Sequence, residues 1–216
     1  HVDAVQALGQ VRIDAGELGA TSIALSSHKV GGPAGVGALI LDPAVAPTPV
    51  LHGGGQEREV RSGTLDAAGI AGFAVAVHHA VAAQQERASR LAALRDDLIA
   101  AVRQAVPTAV LNGPSDSGRL PANAHFSFPG CEGDLLLMLL DAAGIDCSTG
   151  SACTAGIPEP SHVLLAMGVD PSLTRSSLRF SLGEGSTPAD VQALAAALPG
   201  AVERASRAGS LSSRAT

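Results

Sequence analysis

Tryptophan and tyrosine are absent from this 216-residue chain, and phenylalanine occurs four times. Binders of single-stranded nucleic acid stack bases on aromatic faces, so that class has almost nothing here to build from. Acids outnumber bases, 20 to 14, for a formal net charge of −6. That balance argues against a general nucleic-acid binder, which carries a basic face. Three cysteines without a C-x-x-C pair make neither a disulfide framework nor a zinc site. Runs without a polar side chain are short: Val30 to Leu41 has 12 residues, four of them glycine, and Ala67 to Val77 has 11 and then meets His78 and His79. A membrane span needs about 18 or more. No secretory signal pattern is visible, so the expected setting is a reducing cytoplasm with no membrane contact. The chain opens on His1 inside what reads as a structured segment, so a further segment is expected upstream.

What is present is enough for a core. Apolar residues make up 46% and charged residues 16%, a globular composition of one large domain or two small ones. Apolar runs at Val11–Ile13, Ser22–Leu25 and Val36–Leu41 predict strands. Between the last two, Ser26 to Gly35 holds three glycines and Pro33 and predicts a tight loop. Residues 52–64 are polar and contain Gly53-Gly54-Gly55, an exposed loop. From Leu65 to Val106 the pattern is helical, a stretch long enough to hold a break and to bridge two domains, with Leu91, Leu94, Leu98 and Val102 on one face. Beyond it, Val110-Leu111, Ala124–Phe128 and Ser177–Leu182 predict strands, and Gly133–Ala143 and Ser161–Met167 predict helices. A last helix starts at Thr187 as N-cap and Pro188 at the first helical position, and runs to about Arg207. The expected domains are 1–85 and an α+β domain over 86–207, with a frayed tail at 208–216.

Lys29 is the only lysine against 13 arginines. To take part in covalent chemistry a lysine amine must be desolvated or committed to a Schiff base. Its neighbours Ser26, Ser27, His28, Gly31 and Gly32 offer the hydroxyls and N–H groups that a phosphate needs. The nucleotide-binding pattern G-x-x-x-x-G-K-[ST] fails, because Lys29 precedes its glycines. The charge-only alternative is a plain surface lysine. Asp3 could hold a proton on a cofactor ring nitrogen or sit as a solvated turn residue. Cys153, among Gly, Ser and Thr, reads equally as an exposed loop thiol or as a small buried hydrophobe; the second reading suits Cys131 and Cys147 better. Arg179 alternates with apolar residues on its strand; its fork suits a substrate carboxylate or faces water. His52, His78, His79, His125 and His162 have no metal-ligand spacing and read as structural.

In order along the chain stand His1-x-Asp3-Ala4-x-Gln6, Ser26-x-His28-Lys29-x-x-Gly32-Pro33-x-Gly35, Gly53-Gly54-Gly55-Gln56-Glu57 and Arg61-Ser62-Gly63-Thr64. They are followed by Gly150-Ser151-Ala152-Cys153-Thr154, Glu159-Pro160-Ser161-His162 and Ser176-Ser177-Leu178-Arg179-Phe180-Ser181. This series resembles the cysteine desulfurases of the NifS/IscS type, fold-type I pyridoxal-phosphate enzymes, from His1 to about Arg207. The resemblance implies an α/β fold class: the C-terminal part of a cofactor-binding large domain, followed by a smaller α+β domain. It also implies a homodimer that converts L-cysteine to L-alanine and passes the sulfur to an acceptor such as an iron–sulfur scaffold protein.

Roles follow from the same resemblance. Lys29 would hold pyridoxal phosphate as a Schiff base and move the substrate α-proton. Asp3 would pair with the ring nitrogen and Gln6 with the ring hydroxyl. Ser26 and His28 would contact the phosphate, and Thr64 would reach the phosphate held by a neighbouring subunit. Cys153 would take the sulfur as a persulfide, and Arg179 would bind the substrate carboxylate. No metal is implied. An upstream segment, with a ring-stacking His and further phosphate contacts, is part of the family pattern. Thr149 stands where the family commonly has Ser. Two other readings are a related pyridoxal-phosphate lyase or aminotransferase, and a non-catalytic docking protein with a vestigial site.

Overall fold

The computed structural model describes residues 1–115, 118–149 and 160–212, the last three without their side chains. The chain divides into two compact units, His1–Ala88 and Ser89–Thr216, where the sequence places the division after residue 85. Among the described residues no single helix is long and apolar enough to cross a membrane.

The first unit is built on a three-stranded sheet of β1 (Val2–Asp3), β2 (Ser22–Ser26) and β3 (Gly37–Leu41), in that order. β1 runs parallel to β2, with Asp3 opposite Ala24. β3 returns antiparallel, from Ser26 opposite Gly37 to Ser22 opposite Leu41. A short helix, α1 (Ala15–Leu18), starts at Asp14, whose carboxylate accepts from the Gly16 and Glu17 N–H groups. Such a cap satisfies donors that have no partner inside the helix. The long helix α2 (Ala67–Ala82) starts in the same way at Asp66. Ala4, Leu8, Ile23, Phe73 and Ala80 are the buried apolar residues of this unit. β3 is poorly covered: Leu39 is 49% exposed and Ile40 45%. Successive strand residues point to opposite faces, so this edge is open on both.

The expected strand at Val11–Ile13 does not form. The Val11 N–H bonds back to the Ala7 carbonyl at 3.0 Å, closing a turn, and β1 is the strand that pairs with β2. A three-residue apolar run has too few ladder bonds to compete with local turns. The helical pattern from Leu65 to Val106 also divides. α2 ends at Ala82 with Ala83 as its cap, and α3 (Gln84–Ala105) follows directly.

The second unit is a two-layer α+β arrangement. β4 (Val110–Leu111), β5 (Asn123–Ser127) and β6 (Ser177–Ser181) form an antiparallel sheet in sequence order. Ser148 adds a bridge to Arg179 on the far side of β6. Ala124, Phe126, Leu178 and Phe180 share one core with three helices. They meet Leu94, Leu98 and Val102 of α3, Leu136 and Leu140 of α4 (Gly133–Asp141), and Val191, Leu194 and Leu198 of α7 (Pro188–Ser212). Phe126, Leu136, Leu140, Leu178 and Leu198 are fully buried. Burying each such side chain is worth about 1.5–3 kcal/mol before entropy is counted. Two short helices, α5 (His162–Ala166) and α6 (Pro171–Thr174), lead into β6.

α7 begins where the sequence predicts. The Asp190 carboxylate accepts from the Thr187 N–H at 2.7 Å and from its hydroxyl at 3.0 Å. The helix does not stop at Arg207: it continues to Ser212, so 208–212 are helical rather than part of a frayed tail. The expected short helix α4 is present, and α6 was not foreseen.

Candidate active site

The first unit gathers its polar candidates at one end of the parallel strand pair. Asp3 closes β1 and Ser26 closes β2, and Asp3 pairs two residues short of Ser26 along β2. Both strands therefore deliver their carboxyl ends to the same edge, where α/β sheets commonly bind ligands. The Asp3 Oδ1 accepts from the Val5 N–H at 3.0 Å, which ties down one carboxylate oxygen. Asp3 and Gln6 are both exposed.

After β2 the chain enters a 3-10 turn, Ser27–Val30, closed by Gly31 with φ of 82°. Glycine takes that left-handed conformation without the clash a Cβ brings. The turn presents His28 and Lys29 to solvent. The Ser26 Oγ and His28 Nδ1 lie 2.8 Å apart. Ser27 is fully buried, and its Oγ has no hydrogen-bond partner. A buried hydroxyl left unpaired is costly and rare in native structures. A Cβ built on Gly32 would stand 2.3 Å from that same oxygen, so Gly32 keeps the space beside it open.

Thr64 ends an exposed loop with unusual backbone. Glu57, Arg58 and Glu59 have φ of 51°, 55° and 64°. Left-handed backbone costs roughly 1–2 kcal/mol for each non-glycine residue. Side chains brace the loop: Gln56 Oε1 accepts from the Gly63 N–H at 3.0 Å, and Ser62 Oγ accepts from the Gly55 N–H at 3.3 Å. Thr64 itself is exposed beyond these braces.

This donor set fits pyridoxal phosphate, the cofactor that the resemblance implies. An exposed amine, a half-free carboxylate, a hydroxyl–imidazole pair and an orphaned serine hydroxyl stand within a few residues of one sheet edge. They match an aldehyde, a ring nitrogen and a phosphate in chemistry.

The second unit holds Arg179 on β6, half-buried and directly opposite His125 of β5. No carboxylate among the described residues pairs with it, and its Nε is buried without a partner. The Arg179 N–H donates to the Ser148 carbonyl at 2.7 Å, and the Arg179 carbonyl accepts from the Ser148 N–H at 3.1 Å. Cys153 lies outside the described residues. Cys131 is buried, with its thiol held above the ordinary range by desolvation. The Cys147 thiol is pushed up to about 11 by burial first, then by Asp146 and Asp141. Neither is a ready nucleophile at neutral pH. Among the described residues no three His, Cys, Asp or Glu side chains form a metal site.

Reading the sequence alone treats His125 as structural and passes over Asn112. The Asn112 Nδ2 donates to the His125 Nδ1 at 3.0 Å and to the Ser127 Oγ at 2.9 Å. Burial, followed by the charges of Arg179 and Arg119, lowers the His125 ring from 6.5 to about 4. The available signal was the period-2 polar face Asn123, His125, Ser127 beside the apolar pair Ala124 and Phe126.

The aminotransferase class-V family matches residues 1–194. The chain is 55% identical over 208 residues to the IscS-like cysteine desulfurase of Mycobacterium tuberculosis, covering 96% of this chain and 53% of that protein. It is 44% identical over 200 residues to the cysteine desulfurase IscS of Clostridium botulinum, covering 92% and 50%. The solved NifS-like protein of Rickettsia africae superposes with a TM-score of 0.84 at 31% identity, covering 93% of this chain and 52% of that one. The chain thus spans about half the length of the curated relatives it matches.

Proposed function

The chain belongs to the aminotransferase class-V family, and from that premise we propose that it is part of a pyridoxal-phosphate-dependent cysteine desulfurase. One observation carries the reading: an exposed lysine amine and a carboxylate stand at the carboxyl ends of two paired parallel strands. The bound cofactor supplies an electron sink for charge that develops at the substrate α-carbon.

In the first unit, Lys29 holds the cofactor through its amine and carries the α-proton. Asp3 keeps the ring nitrogen protonated, and Gln6 bonds the ring hydroxyl. Ser26 and His28 hold phosphate oxygens, and the unpaired Ser27 hydroxyl gives that anion a further donor nearby. Thr64, at the end of its braced loop, serves the phosphate of a second copy, so the working enzyme is a homodimer. In the second unit, Arg179 takes the substrate carboxylate as a fork. The Cys153 thiolate attacks the cysteine sulfur; the carbon–sulfur bond breaks, a sulfur–sulfur bond forms, and alanine leaves. The persulfide sulfur then passes to an acceptor thiol, for which an iron–sulfur scaffold protein is the leading candidate. A reducing cytoplasm keeps the Cys153 thiol available.

The test is a visible absorption titration of the complete polypeptide with pyridoxal phosphate, for wild type, Lys29→Ala and Cys153→Ser. A cofactor band that needs Lys29, with alanine release that needs Cys153, supports the reading. A band in the absence of Lys29 would overturn the role of the amine. Full alanine and persulfide formation by Cys153→Ser would overturn the desulfurase.

A further inference from the structure

Four residues from four backbone segments form one lateral row on the polar face of the second sheet. Asn112, following β4, donates its N–H to the His125 carbonyl at 2.8 Å, His125 faces Arg179, and Arg179 bridges to Ser148. Both backbone polar groups of Arg179 point to Ser148. Towards β5 it therefore forms a non-hydrogen-bonded pair with His125. In such pairs the Cα atoms approach to about 4.5 Å and the side chains are closer than in the alternative pair.

An amide nitrogen only donates. The Asn112 Nδ2 contact thus makes His125 Nδ1 the acceptor, and the proton of the neutral ring sits on Nε2. The second amide hydrogen goes to Ser127 Oγ, which anchors the Asn112 side chain. We propose that His125 is a positioning residue for Arg179: Asn112 locks it as the neutral Nε2–H tautomer, so that the guanidinium has an uncharged neighbour and stays unpaired for the substrate carboxylate. This rests on the reading of Arg179 given above.

The surroundings agree. The charged groups acting on the ring are Arg179 and Arg119, both cationic, and both resist a charge on it along with its burial. Arg119 is itself tethered, donating to the carbonyls of Pro114, Asn112 and Asn123. An acid at position 125 would instead claim the Arg179 fork. A protonated ring would lose the Asn112 bond and set two cations side by side.

Two measurements test this. Ring-nitrogen NMR of the wild-type chain at neutral pH should find His125 Nδ1 bare and Nε2 protonated, and Asn112→Asp should move the proton to Nδ1. A protonated Nδ1 in wild type overturns the proposal without any variant. In the complete holoenzyme, His125→Asp should raise KM for L-cysteine by about ten- to a hundredfold, the scale of a lost charge-assisted bond, with kcat much less affected. Arg179→Lys separates the two levels of the argument. If it leaves KM unchanged, the carboxylate role of Arg179 falls. If it raises KM while a folded His125→Asp does not, the positioning role alone falls.

Discussion

Acid should destabilise this protein through one histidine, and the size of the effect follows from where that ring sits. His125 is lowered from 6.5 to about 4, by burial first and then by Arg179 and Arg119. The native ring therefore binds fewer protons than the unfolded one between those two values, and stability falls as pH falls through that window. Above pH 6.5 the full contribution is present; below about 4 both states are protonated and the loss is complete. The gap corresponds to about 3 kcal/mol at most, with about 2 kcal/mol already lost between pH 7 and pH 5. Carboxylates titrate in the same range, so a difference measurement is needed. His125→Asn keeps an acceptor for Asn112 and removes the titration. Urea unfolding followed by circular dichroism suits a chain without Trp or Tyr. Wild type should lose about 3 kcal/mol more than the variant on going from neutral pH to pH 4. Parallel pH profiles for the two proteins would refute the reasoning, as would a His125 ring titrating near 6.5 by NMR.

Other outcomes follow from single contacts. Gly32→Ala should weaken cofactor binding in the complete polypeptide and cost about 1–3 kcal/mol of stability, because its Cβ meets Ser27 Oγ at 2.3 Å and Ala76 Cβ at 3.1 Å; cofactor and urea titrations equal to wild type would contradict this. Cys147, pushed up to about 11, should alkylate at neutral pH far more slowly than a free thiol, as mass spectrometry after timed iodoacetamide exposure will report. Phe126→Ala should cost about 3–5 kcal/mol, because Phe126 is fully buried in the core of the second unit, and a urea midpoint close to wild type would show that the core collapses around the gap.

Much of this was legible in the amino-acid order, for reasons that differ by element. α7 announces itself through Thr187, Pro188 and Asp190, because capping is a local matter settled within four residues. The core stripe of α3, from Leu91 to Val102, follows from helical period alone. β1 escaped because it is two residues long and exists only through its pairing with β2. A break within so long a helical stretch is foreseeable from its length, but its place at Ala83 is not, because Ala83 is a good helix former with no composition signal. At the site, Asp3 and Lys29 were legible as chemistry, a carboxylate and a lone lysine beside hydroxyls and glycines, without the strand that carries Asp3. The His125 row was not, since Asn112, Arg179 and Ser148 meet it only through lateral strand pairing. Sheet neighbours are set by register, which no local pattern encodes.

The open strand β3 carries a consequence for handling this polypeptide. Leu39 and Ile40 face opposite sides of the sheet and are both about half exposed, and Val75 and Val81 of α2 are 58% exposed. An uncapped strand with apolar residues on both faces invites another strand to continue the ladder. Relatives about twice as long have more chain with which to cover such a surface. This edge is a sticky seam: self-association should rise with concentration, which light scattering over a dilution series will report.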